Sequence, residues 1–196
     1  LCCTSFSYPL YSRVFFDCTF IVSVHSYSEG KRICENLCAC YKKEFNVPVK
    51  IIRLAQTVGA GIDYNDTRVV AMFARCVIEN KDIILKTYGN SKRQIIYTTD
   101  AISAILTVLL KGTSGECYTA CNPDTFYSIR DTALMICEKI SNNSIKVKFA
   151  IENNTVFAPD VMMNLSAEKL QSLGWKSKIG LEEAYIRLIK SFKSQL

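Results

Sequence analysis

The sequence predicts an α/β protein whose helices lead into short strands of a parallel sheet. Three observations carry this. A helical apolar period runs from Ser28 to Phe45, and Asn46 and Pro48 close it. The brief β-branched run Val49-Lys50-Ile51-Ile52-Arg53 follows at once, as a buried strand would. Further helix-sized apolar periods recur between short strand-like runs as far as residue 192. A helix feeding such a strand is half of an α/β unit.

Taken in order, residues 1 to 19 are rich in aromatics and cysteine but poorly periodic, and fit one or two short strands. Residues 20–24 fit a buried strand end. In the helix from Ser28, the positions Ile33, Leu37, Tyr41 and Phe45 form an i, i+4 stripe expected to face the core, with Cys34 and Cys38 beside it. Leu54 to Thr67 reads as a loop carrying Gly59 and Gly61 at the carboxyl end of the strand, where open α/β sheets bind ligands. Asp66 or Thr67 is expected to cap a helix from Arg68 to Glu79, with Val69, Met72, Phe73 and Cys76 inward. Ile83 to Lys86 and Gln94 to Tyr97 read as two strands around a turn at Tyr88 to Ser91. Asp100 reads as the cap of a helix from Ala101 to Leu110, stopped by Gly112. Cys117 to Ala120 reads as a strand. Ser128 opens a helix to about Ile140 with a capping box that has Asp131 in the glutamate position. Ile145 to Ile151 alternates as a strand with one buried face. Ser166 caps a short helix ending at Gly174-Trp175, and Leu181 to Phe192 is a final amphipathic helix.

Composition narrows the function classes. Of the 196 residues, 49% are hydrophobic and 21% charged, which excludes a disordered chain. The net charge of +6 is scattered over helices, so the reading is solvated faces and no nucleic acid partner, with an anionic small molecule left open. Ten cysteines fall among periodic apolar positions with no Cys-x-x-Cys, and His25 is the only histidine. That pattern predicts reduced, mostly buried thiols in a cytoplasmic protein and no metal site. No apolar run reaches the roughly 18 residues of a membrane span, and no signal peptide is evident. The chain begins at Leu1, as a fragment of a longer protein would.

The stretch His25-Ser26-Tyr27-Ser28-Glu29-Gly30-Lys31-Arg32 carries the candidate chemistry. Tyr27 and Lys31 stand one helical turn apart on one face. An ammonium beside a phenol stabilises the phenolate, and such a pair moves a proton to or from a hydroxyl near neutral pH. By itself the pair also fits a surface tyrosine and lysine at a helix start.

Five pieces, in this order, resemble the NAD-dependent nucleotide-sugar epimerase/dehydratase family, a branch of the extended short-chain dehydrogenases/reductases. They are Tyr27 to Lys31, Val49 to Gly61, Lys92 to Ala101, Gly115 to Asn122 and Lys169 to Trp175. The resemblance covers about residue 25 onward and implies the C-terminal portion of a Rossmann-type doubly wound sheet plus a small mixed α/β substrate-binding domain. Residues 1–58 would be the remnant of the NAD-binding domain, and residues 59–196 mostly the substrate-binding domain with segments returning to the sheet. It further implies NAD as cofactor, a nucleotide-diphosphate sugar as substrate and a homodimer packed through the Tyr27/Lys31 helix. Tyr27 would be the acid/base, and Lys31 would hold the nicotinamide ribose and tune it. Leu54, Gln56 and Val58 would border the nicotinamide, with Gln56 also facing the sugar. Arg93 would pair with the diphosphate and Tyr97 would shape that wall. Ser5, like Thr4 and Ser7, is at the distance of the family's hydroxyl residue upstream of the tyrosine.

The sequence departs from the family at its beginning. None of the eight glycines forms Gly-x-Gly-x-x-Gly or Gly-x-x-Gly-x-x-Gly, the turn on which a dinucleotide pyrophosphate rests. Residues 1–24 carry no recognisable family motif, and Thr119 stands where relatives often have Asn. Two readings follow: an enzyme using Tyr/Lys acid-base chemistry with transient sugar oxidation, or an inactive remnant that binds nucleotide sugar weakly or serves in subunit association.

Overall fold

The computed structural model describes residues 2–5, 26–151 and 160–196. The first half contains β1 (Cys2–Ser5), α1 (Ser26–Phe45), β2 (Ile51–Leu54), β3 (Gln56–Val58), α2 (Val69–Ile78), β4 (Ile83–Leu85), β5 (Lys92–Arg93), β6 (Ile95–Tyr97) and α3 (Thr98–Lys111). The second half contains β7 (Cys117–Ala120), β8 (Tyr127–Ser128), α4 (Ile129–Met135), β9 (Val147–Phe149), β10 (Met162–Met163), α5 (Glu168–Gln171) and α6 (Leu181–Lys193). The α/β class with parallel strands agrees with the sequence.

The central sheet has the order β1-β2-β7, all parallel, with Cys2 opposite Ile51 and Ile51 opposite Cys117. The two faces of β2 take different partners because side chains alternate along a strand. Ile52 joins Tyr118 and Ala120 under α3, in a core with Ala101, Ala104, Val108, Leu170 and Trp175. Arg53 points the other way and forms a two-bonded ion pair with Glu35 of α1, at 2.9 and 2.6 Å. Helices α1 and α3 therefore cover opposite faces. The poorly periodic start of the chain thus supplies a strand of this sheet.

A second core lies beyond the sheet, where α2, α4 and α6 pack on Val58, Ile83, Leu85, Ile95 and Tyr97. It is tied to the first by β3, which pairs with β6, and by short ladders β5-β8 and β5-β10.

Several sequence expectations are corrected. The stripe Ile33, Leu37, Tyr41 and Phe45 is more than half exposed, because α1 meets the sheet through its polar side, with Glu35 on Arg53. The inward face of α2 is Val70, Ala71, Phe73 and Ala74, while Val69 and Met72 lie at the surface. The small Ala71 and Ala74 give that face, and α6 packs beside it. β4 and β6 do not form a hairpin; β4 pairs with β9 and β6 with β3, both parallel. Asp100 lies inside the first turn of α3 and accepts main-chain N–H bonds from Lys178 and Ile179, each at 2.9 Å. It is a tie to a distant segment, which Asn122 reinforces by donating to the Ile179 carbonyl. Of the seven cysteines with described side chains, all are free and only Cys121 and Cys137 are buried.

The Ser128 cap agrees with the sequence: its hydroxyl accepts from the Asp131 N–H at 2.9 Å. The helix it opens passes into a π-helical turn at Ile136–Ile140. Replacing Ser128 by Ala is expected to cost about 1 kcal/mol. Urea unfolding measures this, and an unchanged midpoint would remove the cap from the account.

Candidate functional site: an arginine-lined cavity beside the parallel strands

A cavity of about 380 Å³ opens where β3, β5 and β8 meet the starts of α2, α4 and α6. Its wall includes Gln56, Thr67, Arg68, Ser91, Arg93, Thr125 and Tyr127, with apolar backing from Phe73, Ile95 and Leu181. The volume falls in the range of small-molecule sites, and the lining has their usual form, apolar with a few polar groups.

Its electrostatics favour an anion. Val69 and Val70 are the first residues of α2, Ile129 is the first of α4 and Leu181 is the first of α6, so three helix N-termini border the cavity with their partial positive charge. Two guanidiniums line it, but they differ. Arg68 is held by Asp66 through Nε at 3.0 and 2.9 Å and Nη2 at 2.5 Å. These hydrogen bonds hold the Asp66 carboxyl below its usual range. Arg93 lies on β5, opposite Tyr127 of β8, and has no ion pair or side-chain hydrogen bond among the described residues. It is the cation left for a ligand.

The structure brings Gln56 and Arg93 into one cavity, from positions far apart in sequence. Tyr97 is elsewhere. It is buried in the second core, with the Arg187 guanidinium 5.5 Å from its ring centre, and does not line the cavity. Tyr27 and Lys31 share one side of α1, with the Lys31 ammonium 5.4 Å from the Tyr27 ring centre. Tyr27 is about half exposed, and neither residue lines the arginine cavity. Ser5 ends β1 in register with Leu54 at the end of β2, so both stand at the carboxyl edge of the parallel sheet. Val58 is fully buried and offers no exposed surface to a ligand.

Sequence reasoning missed Arg68, Ser91, Thr125, Tyr127 and Tyr185 as cavity walls. Only Arg68 carried a local signal, the Asp66-x-Arg68 pairing, and that reads as an ordinary surface ion pair. Tyr185 is fully enclosed, and burial pushes its phenol far above the usual range, so it acts as a neutral wall.

Comparison with known proteins decides the family. The model of the NAD dependent epimerase/dehydratase family matches residues 12–122, more than half of the chain. The chain belongs to the NAD-dependent epimerase/dehydratase family. The match begins at residue 12, so much of the stretch without recognisable motifs falls inside the family region. Among curated members, UDP-glucuronic acid decarboxylase 1 of Danio rerio is 27% identical over 173 residues, 87% of this chain and 40% of that protein. UDP-glucuronic acid decarboxylase 3 of Arabidopsis thaliana is 26% identical over 170 residues, 87% of this chain and 48% of its own length. The chain thus spans less than half the length of these relatives. Among solved structures, UDP-glucuronic acid 4-epimerase from Bacillus cereus, in complex with UDP-glucuronic acid and NAD, superposes with a TM-score of 0.75 at 20% identity, over 99% of this chain and 61% of that one. UDP-glucose 4-epimerase from Thermotoga maritima, with UDP-glucose, gives 0.74 at 21% identity over 86% and 53%. These superpositions establish the family's Rossmann-like fold for the chain.

The family implies NAD, and the residues present fit only one end of it. The strand ends at Leu54 and Ser5 lie on the carboxyl side of the sheet, where open α/β sheets bind ligands. No glycine-rich turn exists in the 196 residues to cradle a pyrophosphate. A whole dinucleotide therefore does not fit this chain's own residues. Among the described residues no group of acidic, histidine or cysteine side chains could hold a metal ion, and no helix is long and apolar enough to cross a membrane.

Proposed function

We propose that this chain is the substrate-binding part of an NAD-dependent nucleotide-sugar epimerase, dehydratase or decarboxylase, and that it takes a nucleotide-diphosphate sugar into the arginine cavity. The observation that supports this most is Arg93: a guanidinium without an acidic partner among the described residues, in a cavity bordered by three helix N-termini. A planar fork with a permanent charge suits a diphosphate. Gln56, in the same cavity, offers an amide to sugar hydroxyls. Tyr27 takes the role of proton carrier at a sugar hydroxyl, with the Lys31 ammonium beside its ring.

The test is calorimetric titration of the 196-residue chain with UDP-glucuronic acid. Arg93→Ala is expected to weaken binding by about 10- to 100-fold, since a hydrogen bond to a charged group contributes about 1.5–3 kcal/mol. Equal affinities for the two proteins would take Arg93 out of the site.

A second element of the reading is self-association through α1. Its outward stripe Ile33, Leu37, Tyr41 and Phe45 is an apolar face of the kind that marks protein contacts. Leu37→Lys is expected to shift the chain towards monomer in sedimentation. An unchanged mass distribution would discard this interface.

A further inference from the structure

Between Trp175 and Leu181 the chain crosses from one core to the other. Trp175 is buried in the first, and Leu181, the first residue of α6, is buried in the second. Residues 176–180 have no regular secondary structure. Their main-chain groups are nevertheless bonded to side chains from distant elements. The Lys178 and Ile179 N–H groups both donate to Oδ2 of Asp100, each at 2.9 Å. The Ile179 carbonyl accepts from Nδ2 of Asn122 at 2.8 Å. Both side chains are buried. The Asp100 carboxylate also sits in the first turn of α3, the positive end of that helix.

Asn122 is bonded to a second part of the cavity lining as well. Its Oδ1 accepts the Asp124 N–H at 3.0 Å, and its main-chain carbonyl accepts the Thr125 N–H at 3.1 Å. The Thr125 hydroxyl in turn accepts the Ile95 N–H at 3.0 Å and lies 2.8 Å from the Ile95 carbonyl. Ile95 and Thr125 line the arginine cavity, and so do Leu181 and Tyr185 of α6. Neither Asp100 nor Asn122 lines it. Two buried side chains outside the cavity thus join two parts of its lining that come from different cores. Apolar contact is non-directional and leaves packed elements free to slide. Hydrogen bonds prefer particular distances and angles, so they fix where α6 begins relative to β6. A binding constellation needs placement to within about 0.5 Å, which residues locked by such bonds supply.

We propose that Asp100 and Asn122 are positioning residues for ligand binding: they hold the start of α6 to the Ile95 and Thr125 part of the arginine cavity and so set its affinity for a sugar nucleotide. The proposal rests on that cavity being the sugar-nucleotide site. Asp100 serves the tie as an acceptor. Both N–H groups reach the same carboxyl oxygen, so Asp100→Asn keeps an acceptor for them and Asp100→Ala removes it. In both variants α6 retains its buried Leu188 and Phe192, so the first turn is released and the rest of the helix stays packed.

The test compares the 196-residue chain with its Asp100→Ala, Asp100→Asn and Asn122→Ala variants, at a temperature where circular dichroism shows each folded. UDP-glucuronic acid affinity is measured by calorimetry and main-chain amide exchange by NMR. Asp100→Ala and Asn122→Ala are each expected to weaken binding by about tenfold, the equivalent of one lost hydrogen bond. Asp100→Asn should lose less than about threefold, because the acceptor remains. Exchange at Ala184 and Tyr185, in the first turns of α6, is expected to quicken by about tenfold in the two alanine variants, while Leu188 and Phe192 keep their protection. Unchanged affinity in the alanine variants would overturn the proposal. So would an equal loss in Asp100→Asn and Asp100→Ala, or faster exchange along the whole of α6 with affinity intact, which a purely structural tie would give. If Asp100→Ala does not fold, Asn122→Ala decides. A parent chain that does not bind UDP-glucuronic acid would fail the site reading and this proposal with it. A parent that binds, with variants that bind equally well, fails the positioning role alone.

Discussion

Tyr27→Phe, in a polypeptide that joins these residues to a glycine-rich NAD-binding half, is expected to lower kcat by about 100- to 10,000-fold, the range in which a positioned acid/base contributes. Stability should hardly change. Tyr27 is about half exposed at the start of α1, and the substitution removes one hydroxyl while keeping the ring beside the Lys31 ammonium. Sugar-nucleotide affinity should also hold, because Tyr27 is not part of the cavity wall. Steady-state kinetics with a UDP-sugar, together with thermal melts, separates these effects. A kcat within a few fold of the parent would remove Tyr27 as proton carrier, and a lower melting temperature would show a structural role instead.

The largest stability effect is expected at Phe192. Its side chain is fully buried in the second core, with the Tyr64 ring edge-on at 5.4 Å. Phe192→Ala is expected to destabilise the chain by about 3–5 kcal/mol, the sum of lost burial and the cavity left behind. That is a large part of the 5–15 kcal/mol total of an ordinary domain. The effect should reach the ligand cavity as well, because α6 also supplies Leu181 and Tyr185 to its wall. Denaturant unfolding gives the first number and calorimetry the second. A loss below about 1 kcal/mol would mean the core closes over the gap.

Local signals were enough for most elements. α1, β2, β7, the Ser128 cap and α6 lie where periodicity and capping residues put them. Facing was harder. The stripe on α1 is a true periodic feature, but periodicity reports an apolar face without reporting what covers it, and here the sheet takes the Glu35 side. Asp100 looks like a helix cap from its neighbours alone, whereas its partners are main-chain groups of Lys178 and Ile179. The pairing of β4 with β9 was hidden for the same reason: the nearer strand, β6, offered a local turn. At the site, Gln56 and Arg93 came from the family resemblance and not from spacing. Arg68, Tyr127 and Thr125 converge only through the fold, so no single stretch of sequence announces them.

The parallel ladder has a consequence for how the chain reaches its structure. Cys2 must find Ile51, and Ile51 must find Cys117, before either pair gains a hydrogen bond. Loop closure therefore comes first and its reward later, which places this topology among slow folders. During that interval the β-branched run Val49 to Arg53 and the apolar flanks of the helices stay open to other chains. Newly made chain should need a chaperone or low temperature to escape aggregation, and refolding yield should fall steeply as protein concentration rises.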